Sequence, residues 1–103
     1  MKVLLTIAAS LLAVSAVTPA LAQGAGAATY KAKCQMCHGD DGQPTAAGKS
    51  MKAMPFNSPE LKKASTASLI ASVTNGKGKM PAYAGKLTDA QIKEVVEYTR
   101  TLQ

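Results

Sequence analysis

The sequence CQMCHG, at residues 34–39, contains both cysteines and the only histidine of this 103-residue chain. Three ordinary arrangements place such residues together: a disulfide, part of a zinc site, and a thiol redox pair. A structural zinc site needs four ligands, typically cysteine and histidine, and none remains elsewhere in the sequence. A thioredoxin-like redox pair belongs to an alternating strand and helix context, and the sequence has no strand pattern. A disulfide would leave His38 without explanation.

The remaining interpretation is covalent haem attachment, which the pattern C-x-x-C-H indicates. Positions i, i+3 and i+4 of a helix share one face, so Cys34, Cys37 and His38 would project to the same side. Two thiols on that side can add to the vinyl groups of a porphyrin, while the imidazole reaches its iron. We therefore expect one haem c per chain, attached through Cys34 and Cys37, with His38 as an axial ligand.

The first 22 residues have the features of a secretory signal peptide. A positive start, Met1-Lys2, precedes a nearly unbroken apolar stretch, and Ala20-Leu21-Ala22 is a cleavage signal of the A-x-A type. An uncleaved membrane anchor is the alternative, because the apolar stretch is only slightly shorter than the ~17 to 25 residues of a spanning helix. We expect export and cleavage after Ala22, which leaves one domain over residues 23–103.

The exported domain is too small to build a large core of its own side chains. The chain has three tyrosines, one phenylalanine and no tryptophan. Domains of this size usually need a disulfide, a metal or a cofactor for stability. A large apolar cofactor would compensate for the shortage of aromatic side chains.

Helical signals predict three or four short helices joined by long loops, and no strand. The first helix is expected to follow a flexible segment at residues 24–28 and to end just past His38, before the turn-rich residues 39–44. Residues 45–57 show no period and are expected to form a loop. The later helices are expected to begin at Ser58, at Ser65 or Thr66, and at Thr88, the last with a capping box.

A second axial ligand must come from a methionine, because no other soft donor remains. Met80 is far enough along the chain to reach the iron from the opposite face. Gly76 and Gly78 permit close backbone approach, and Pro81 biases Met80 towards extended geometry. Met54 also precedes a proline and is a rival ligand, and an open or water-bound iron is the other alternative.

The formal net charge of +6 excludes few partners on its own. The lysines are spread along the chain, as on an ordinary solvated surface or on a face that attracts an acidic partner. Nucleic acid is not an expected partner, because the sequence lacks a basic tract with interleaved aromatic residues. The lysines proposed to face a partner are Lys33, Lys49, Lys77, Lys79 and Lys86.

The paired segments at residues 34–39 and 75–83, followed by a C-terminal helix, resemble class I c-type cytochromes, in particular small monohaem cytochromes of bacterial periplasms. The resemblance implies the all-α cytochrome c fold, with crossing first and last helices and loops wrapped around one covalently bound haem c. It implies a soluble periplasmic one-electron carrier with low-spin iron held by His38 and Met80, and no enzymatic activity. The implied partners are acidic redox proteins or membrane respiratory complexes, with membrane contact only through a partner, and the chain is expected to be a monomer.

Further residues correspond to positions of this family. Gly26 and Tyr30 match the glycine and the aromatic residue before the first haem cysteine, and Tyr98 matches an aromatic residue of the last helix. Pro44 is the candidate for the carbonyl that accepts a hydrogen bond from the histidine Nδ1. Ala67 replaces the aromatic hydroxyl that mitochondrial-type members place near the methionine sulfur. The supporting pocket residues are thus expected to be Gly26, Tyr30, Pro44, Pro81, Tyr83 and Tyr98.

Two rival functions follow from the same residues. A haem enzyme or a gas-binding sensor would have a five-coordinate or readily opened iron. A subunit docked permanently to a membrane complex would keep residues 1–22 as its anchor.

Overall fold

The structure is a computed structural model that describes residues 19–103, with side chains from residue 24 onward. Most of the expected signal peptide, residues 1–18, lies outside the described residues. Within residues 19–103 all regular elements are helices, and only two isolated β-bridges occur besides them. The helices are α1 (Pro19–Lys33), α2 (Gln35–His38), α3 (Ala46–Ser50), α4 (Pro59–Lys63), α5 (Thr66–Asn75) and α6 (Asp89–Thr101). The predicted all-α class is confirmed, with more helices than the three or four expected.

Two segments expected to be irregular are helical. Residues 24–28 lie inside α1, and α3 lies inside the expected loop at residues 45–57. The Thr45 side chain accepts a hydrogen bond from the Gly48 backbone N–H at 3.2 Å and so caps α3. Five residues are too few to show a helical period, which is why the hydrophobic pattern did not reveal α3.

The other expected helix boundaries agree with the structure, except that the expected first helix is divided at Cys34 into α1 and α2. α2 ends at His38, Ser58 is the N-cap of α4, and Ser65 caps α5 by accepting from Ser68 N–H at 3.0 Å. The predicted capping box of α6 is confirmed, because Thr88 and Gln91 exchange hydrogen bonds of 2.9 and 3.1 Å. The boundaries of α5 and α6 depend on side-chain caps, that of α4 on Pro59 at its first position, and that of α2 on Gly39 at a φ of +76°. All four depend on residues adjacent in sequence, so local chemistry is sufficient to predict them.

The first and last helices make the principal contact of the fold at Gly26, which is buried on α1. A Cβ atom at Gly26 would collide with the backbone carbonyl oxygen of Glu94 and lie 3.1 Å from the Tyr98 Cβ. The absence of a side chain therefore allows the two helix backbones to approach closely. Tyr98 lies beside this contact and covers it.

The protein's own core is small and adjoins the helix crossing. Tyr30, Ile92, Val95 and Val96 are at most 1% exposed. The Tyr30 ring lies 5.2 Å from the Tyr98 ring and 6.1 Å from the Phe56 ring, measured between centroids. The Tyr30 hydroxyl donates a hydrogen bond to the Gly39 carbonyl at 2.5 Å, and burial raises the pKa of this phenol well above its usual value. Tyr30 thereby links α1 to the turn that follows His38.

The junction between α4 and α5 is held by the end of α6. Arg100 donates from Nε to the Thr66 hydroxyl at 3.2 Å and from Nη2 to the Ala64 carbonyl. Gln103 Nε2 donates to the Leu61 carbonyl at 3.3 Å. Between residues 19 and 103, no helix combines the length and the apolar character that crossing a membrane requires.

Replacement of Gly26 by alanine should destabilise the protein by about 1–3 kcal/mol, because the added methyl group overpacks the crossing of α1 and α6. Gly24→Ala is the matched control on the same helix, since a Cβ there meets nothing within 4 Å. The control should leave stability unchanged or raise it by up to roughly 1 kcal/mol through helix propensity. Denaturant unfolding of both purified variants measures the difference, and equal stabilities would contradict the close contact.

Candidate haem site

One side of the C-x-x-C-H segment opens into a cavity of about 780 Å³. This volume lies within the range of roughly 300–1,000 Å³ typical of small-molecule and cofactor sites. The turn of residues 34–38, where haem attachment is expected, is called the attachment turn below. It contributes to the cavity wall together with α4, α5, the loop before α6 and α6 itself. Apolar side chains of the wall include Phe56, Leu61, Leu69, Val73, Val95 and Val96.

The reactive side chains of the attachment turn face this cavity. The backbone N–H groups of Cys37 and His38 both donate to the Cys34 carbonyl, at 3.2 and 3.0 Å, and so form one helical turn. Cys34, Cys37 and His38 all line the cavity, whereas Met36 is 79% exposed and points elsewhere. Both cysteines are free thiols. The helical spacing therefore turns Cys34, Cys37 and His38 towards the cavity and Met36 away from it, as the sequence predicted.

The Cys34 thiol has the opposite electrostatics to an activated redox cysteine. Burial raises its pKa to about 11, with a smaller contribution from the neighbouring Cys37. Reactive C-x-x-C pairs work through a lowered thiol pKa. Cys34 therefore stays protonated at neutral pH, which disfavours the thiol redox pair. The described residues contain no group of three or more His, Cys, Asp or Glu arranged to hold a metal ion directly.

His38 is positioned as a neutral donor. Burial lowers the pKa of its imidazole, so the uncharged form that can bind iron predominates at neutral pH. The ring stacks on Phe56, with centroids 4.8 Å apart and planes 23° from parallel. No motif in the sequence indicates this contact between Phe56 and His38.

The expected hydrogen bond from His38 Nδ1 to the Pro44 carbonyl is not formed. Nδ1 is buried and has no hydrogen-bond partner among the described residues. The next residue, Thr45, donates its N–H to the Cys37 carbonyl at 3.0 Å. Residues 39–45, which follow His38, therefore lead to α3 and dock it on the attachment turn.

That docking involves two residues that sequence reasoning missed. The Thr45 hydroxyl donates to the Met36 carbonyl at 2.6 Å while it caps α3. Gly48 is buried directly against the Cys37 carbonyl, where a Cβ would collide with that oxygen. The available sequence signal was Thr45 itself, because threonine is a favoured N-cap residue and α3 begins directly after it. Together these contacts hold the backbone of the attachment turn.

Residues 76–84, called the methionine loop below, bring Met80 and Pro81 to the cavity wall. Lys77 and Met80 exchange backbone hydrogen bonds of 3.0 and 3.2 Å, which closes a tight turn. Gly76 has φ = +77°, and a Cβ there would lie 2.8 Å from the Met80 carbonyl oxygen. The turn therefore requires glycine at this position.

Met51 and Met54 also line the cavity, but from a different segment. Met54 is 38% exposed and lies two residues before Phe56, whose ring covers His38. Met80 belongs to a loop that is hydrogen-bonded to α5, through Tyr83 N–H and the Val73 carbonyl at 3.0 Å. The two candidate methionines are therefore supported by different parts of the fold.

The edge of the cavity is basic. Lys33, Lys52, Lys77 and Lys79 line it and are exposed, and Glu60 is the only acidic residue of its described lining. Two of the lysines proposed to face a partner, Lys49 and Lys86, are exposed but do not line the cavity. A cavity with two thiols, a neutral imidazole, thioethers and an apolar wall fits a haem c.

Comparisons with known proteins agree with this site. The family model described as "Cytochrome C oxidase, cbb3-type, subunit III" matches residues 22–98. The chain is 36% identical over 103 residues to cytochrome c6 of a Synechococcus species, covering 95% of this chain and 90% of the relative. It is 38% identical over 76 residues to cytochrome c6 of Leptolyngbya boryana, covering 72% of this chain and 85% of the relative.

A solved structure shows the same architecture. The KustC0563 c-type cytochrome has a TM-score of 0.71 and 31% identity, covering 76% of this chain and 96% of that one. Membership of this family implies a haem c cofactor and redox protein partners. It also makes the chain an electron carrier and not an enzyme. The protein thus belongs to this cytochrome c family, as a small monohaem class I c-type cytochrome.

Proposed function

We propose that this chain is a periplasmic one-electron carrier, with haem c joined to Cys34 and Cys37 and its iron held by His38 and Met80. The observation that carries the proposal is that one cavity is lined by both thiols, the imidazole and the Met80 thioether. When bound there, the group supplies one-electron exchange, at a potential that a methionine ligand raises relative to bis-histidine ligation.

The chain's own residues restrict the chemistry at this site. His38 and Met80 would occupy both axial positions, which leaves no coordination site for a substrate. The apolar side chains that α5 and α6 present to the cavity would disfavour the additional charge of oxidised iron. The closed turn from Lys77 to Met80 supports a methionine that keeps its place in both oxidation states.

Met80 is favoured over Met54 by the support that each receives. The Met80 turn is closed by two backbone hydrogen bonds and bonded to α5. Met54 lies close in sequence to the Phe56 ring that stacks on His38, which supports placing Met54 on the histidine side. A ligand opposite His38 is therefore expected from the methionine loop.

Met80→Ala should convert a low-spin oxidised protein into one with high-spin or water-bound iron. Loss of the weak methionine–iron charge-transfer band and rapid carbon monoxide binding in the reduced form would measure the change. Met54→Ala is the matched control and should retain the band. Loss of the band in the control alone would assign the ligand to Met54, and rapid carbon monoxide binding by the unaltered protein would favour a gas-binding role.

Covalent attachment and export can be tested together. We expect the purified protein to have the mass of residues 23–103 plus one haem, and acidified acetone to leave the pigment on the protein. Cys34→Ala with Cys37→Ala should release the pigment under the same extraction. A mass that includes residues 1–22 would instead support a retained anchor.

The proposed partners are acidic redox proteins or membrane respiratory complexes that meet the basic cavity edge, with the chain a monomer that touches a membrane only through its partner. Lys77→Glu with Lys79→Glu should slow electron transfer to an acidic partner by roughly tenfold or more at low salt. The dependence of the rate on ionic strength should flatten, because fewer favourable charges remain to be screened.

Lys62→Glu with Lys63→Glu is the control for this experiment. Both lysines are exposed on α4 and lie outside the cavity lining, and their reversal changes the net charge equally. Equal slowing by the two pairs would show that net charge, and not the cavity edge, controls association.

A further inference from the structure

We propose that Tyr83 is a positioning residue for Met80, acting through its hydroxyl group as a tie between the methionine loop and the haem-attachment turn. The inference rests on the proposed ligation by Met80. The hydrogen bond made by the Tyr83 hydroxyl decides how firmly the Met80 sulfur is held.

The bond joins parts of the chain that are distant in sequence. Tyr83 Oη donates to the Lys33 carbonyl oxygen at 3.0 Å, across 50 residues. Lys33 ends α1, where the last carbonyl groups have no partner within the helix. Cys34 follows immediately. The hydroxyl therefore connects the loop that carries Met80 to the residue next to the first attachment cysteine.

The other long-range bonds of the methionine loop run to α5. Tyr83 N–H donates to the Val73 carbonyl and Ala84 N–H to the Thr74 carbonyl, each at 3.0 Å. Among the hydrogen bonds of residues 19–103, the Tyr83 hydroxyl makes the only one between the methionine loop and α1 or α2. Without it, the loop would be hydrogen-bonded to one wall of the cavity and not to the wall that carries the cysteines.

The environment of the Tyr83 side chain suits a stable tie. The ring lines the cavity, and the Lys86 Nζ lies 5.8 Å from its centroid. Such a cation–π contact adds modest support at an exposed site. Burial raises the pKa of the hydroxyl, which therefore remains a hydrogen-bond donor at neutral pH. Both neighbours of this hydroxyl, the loop and the end of α1, are held in place by other contacts.

The test removes one oxygen atom from the holoprotein. In Tyr83→Phe, imidazole at saturating concentration should displace Met80 from the oxidised protein roughly three- to tenfold faster than in the unaltered protein, as expected for one hydrogen bond. The loss of the methionine–iron charge-transfer band gives the rate. Tyr98→Phe is the matched control, because its ring lies at the helix crossing, outside the cavity lining, and its hydroxyl has no hydrogen bond among the described residues.

If the Tyr83 hydroxyl acts locally on the methionine loop, its loss should change ligand displacement without changing global stability. Tyr83→Phe should accelerate displacement while the denaturant midpoint stays close to that of Tyr98→Phe, which should exchange ligands at the unaltered rate. Equal displacement rates in both variants would overturn the inference, and so would acceleration that is matched by an equal loss of global stability. Should Met80→Ala leave the charge-transfer band unchanged, the proposed ligation itself fails and the inference falls with it.

Discussion

The contact between α1 and α6 at Gly26 positions both sides of the haem site. It brings the Glu94 carbonyl of α6 against the backbone of α1, at a distance that only a glycine permits. α1 runs from this contact to Lys33, directly before the attachment turn. α6 turns Val95 and Val96 towards the cavity. Any change that separates the two helices therefore displaces the cysteines relative to the apolar wall that faces them.

The small protein core explains why the cavity matters for stability as well as for function. Among the side chains that the structure describes, Tyr30 and the α6 residues Ile92, Val95 and Val96 are almost fully buried, and Val95 and Val96 also face the cavity. A group that fills the cavity would bury much of the remaining apolar surface, and ligands that bind only the folded state stabilise it. Folding and cofactor binding are then two aspects of the same packing.

The two sides of the cavity are secured by different means. On the histidine side, Phe56 stacks on His38 and α3 docks through Thr45 and Gly48 onto the attachment turn. On the methionine side, a glycine turn is bonded to α5 and, through Tyr83, to the end of α1. The histidine side combines ring stacking and close glycine packing with hydrogen bonds, whereas the methionine side is held mainly by a few hydrogen bonds, which makes the methionine loop the more readily opened of the two.

The sequence by itself determined the residue types of the site, the end of α2 and the starts of α4, α5 and α6, because these depend on residues that are close in the chain. Cys34, Cys37 and His38 share a face through helical spacing, and Thr88 with Gln91 marks the start of α6 without any distant contact. Only the tertiary structure decided which groups from distant segments come into contact. Gly48 against Cys37, Phe56 on His38, Tyr83 on Lys33, and the missing bond between Pro44 and His38 all depend on how separate segments dock. Such contacts leave no period in the sequence, since their geometry is set by packing across the cavity.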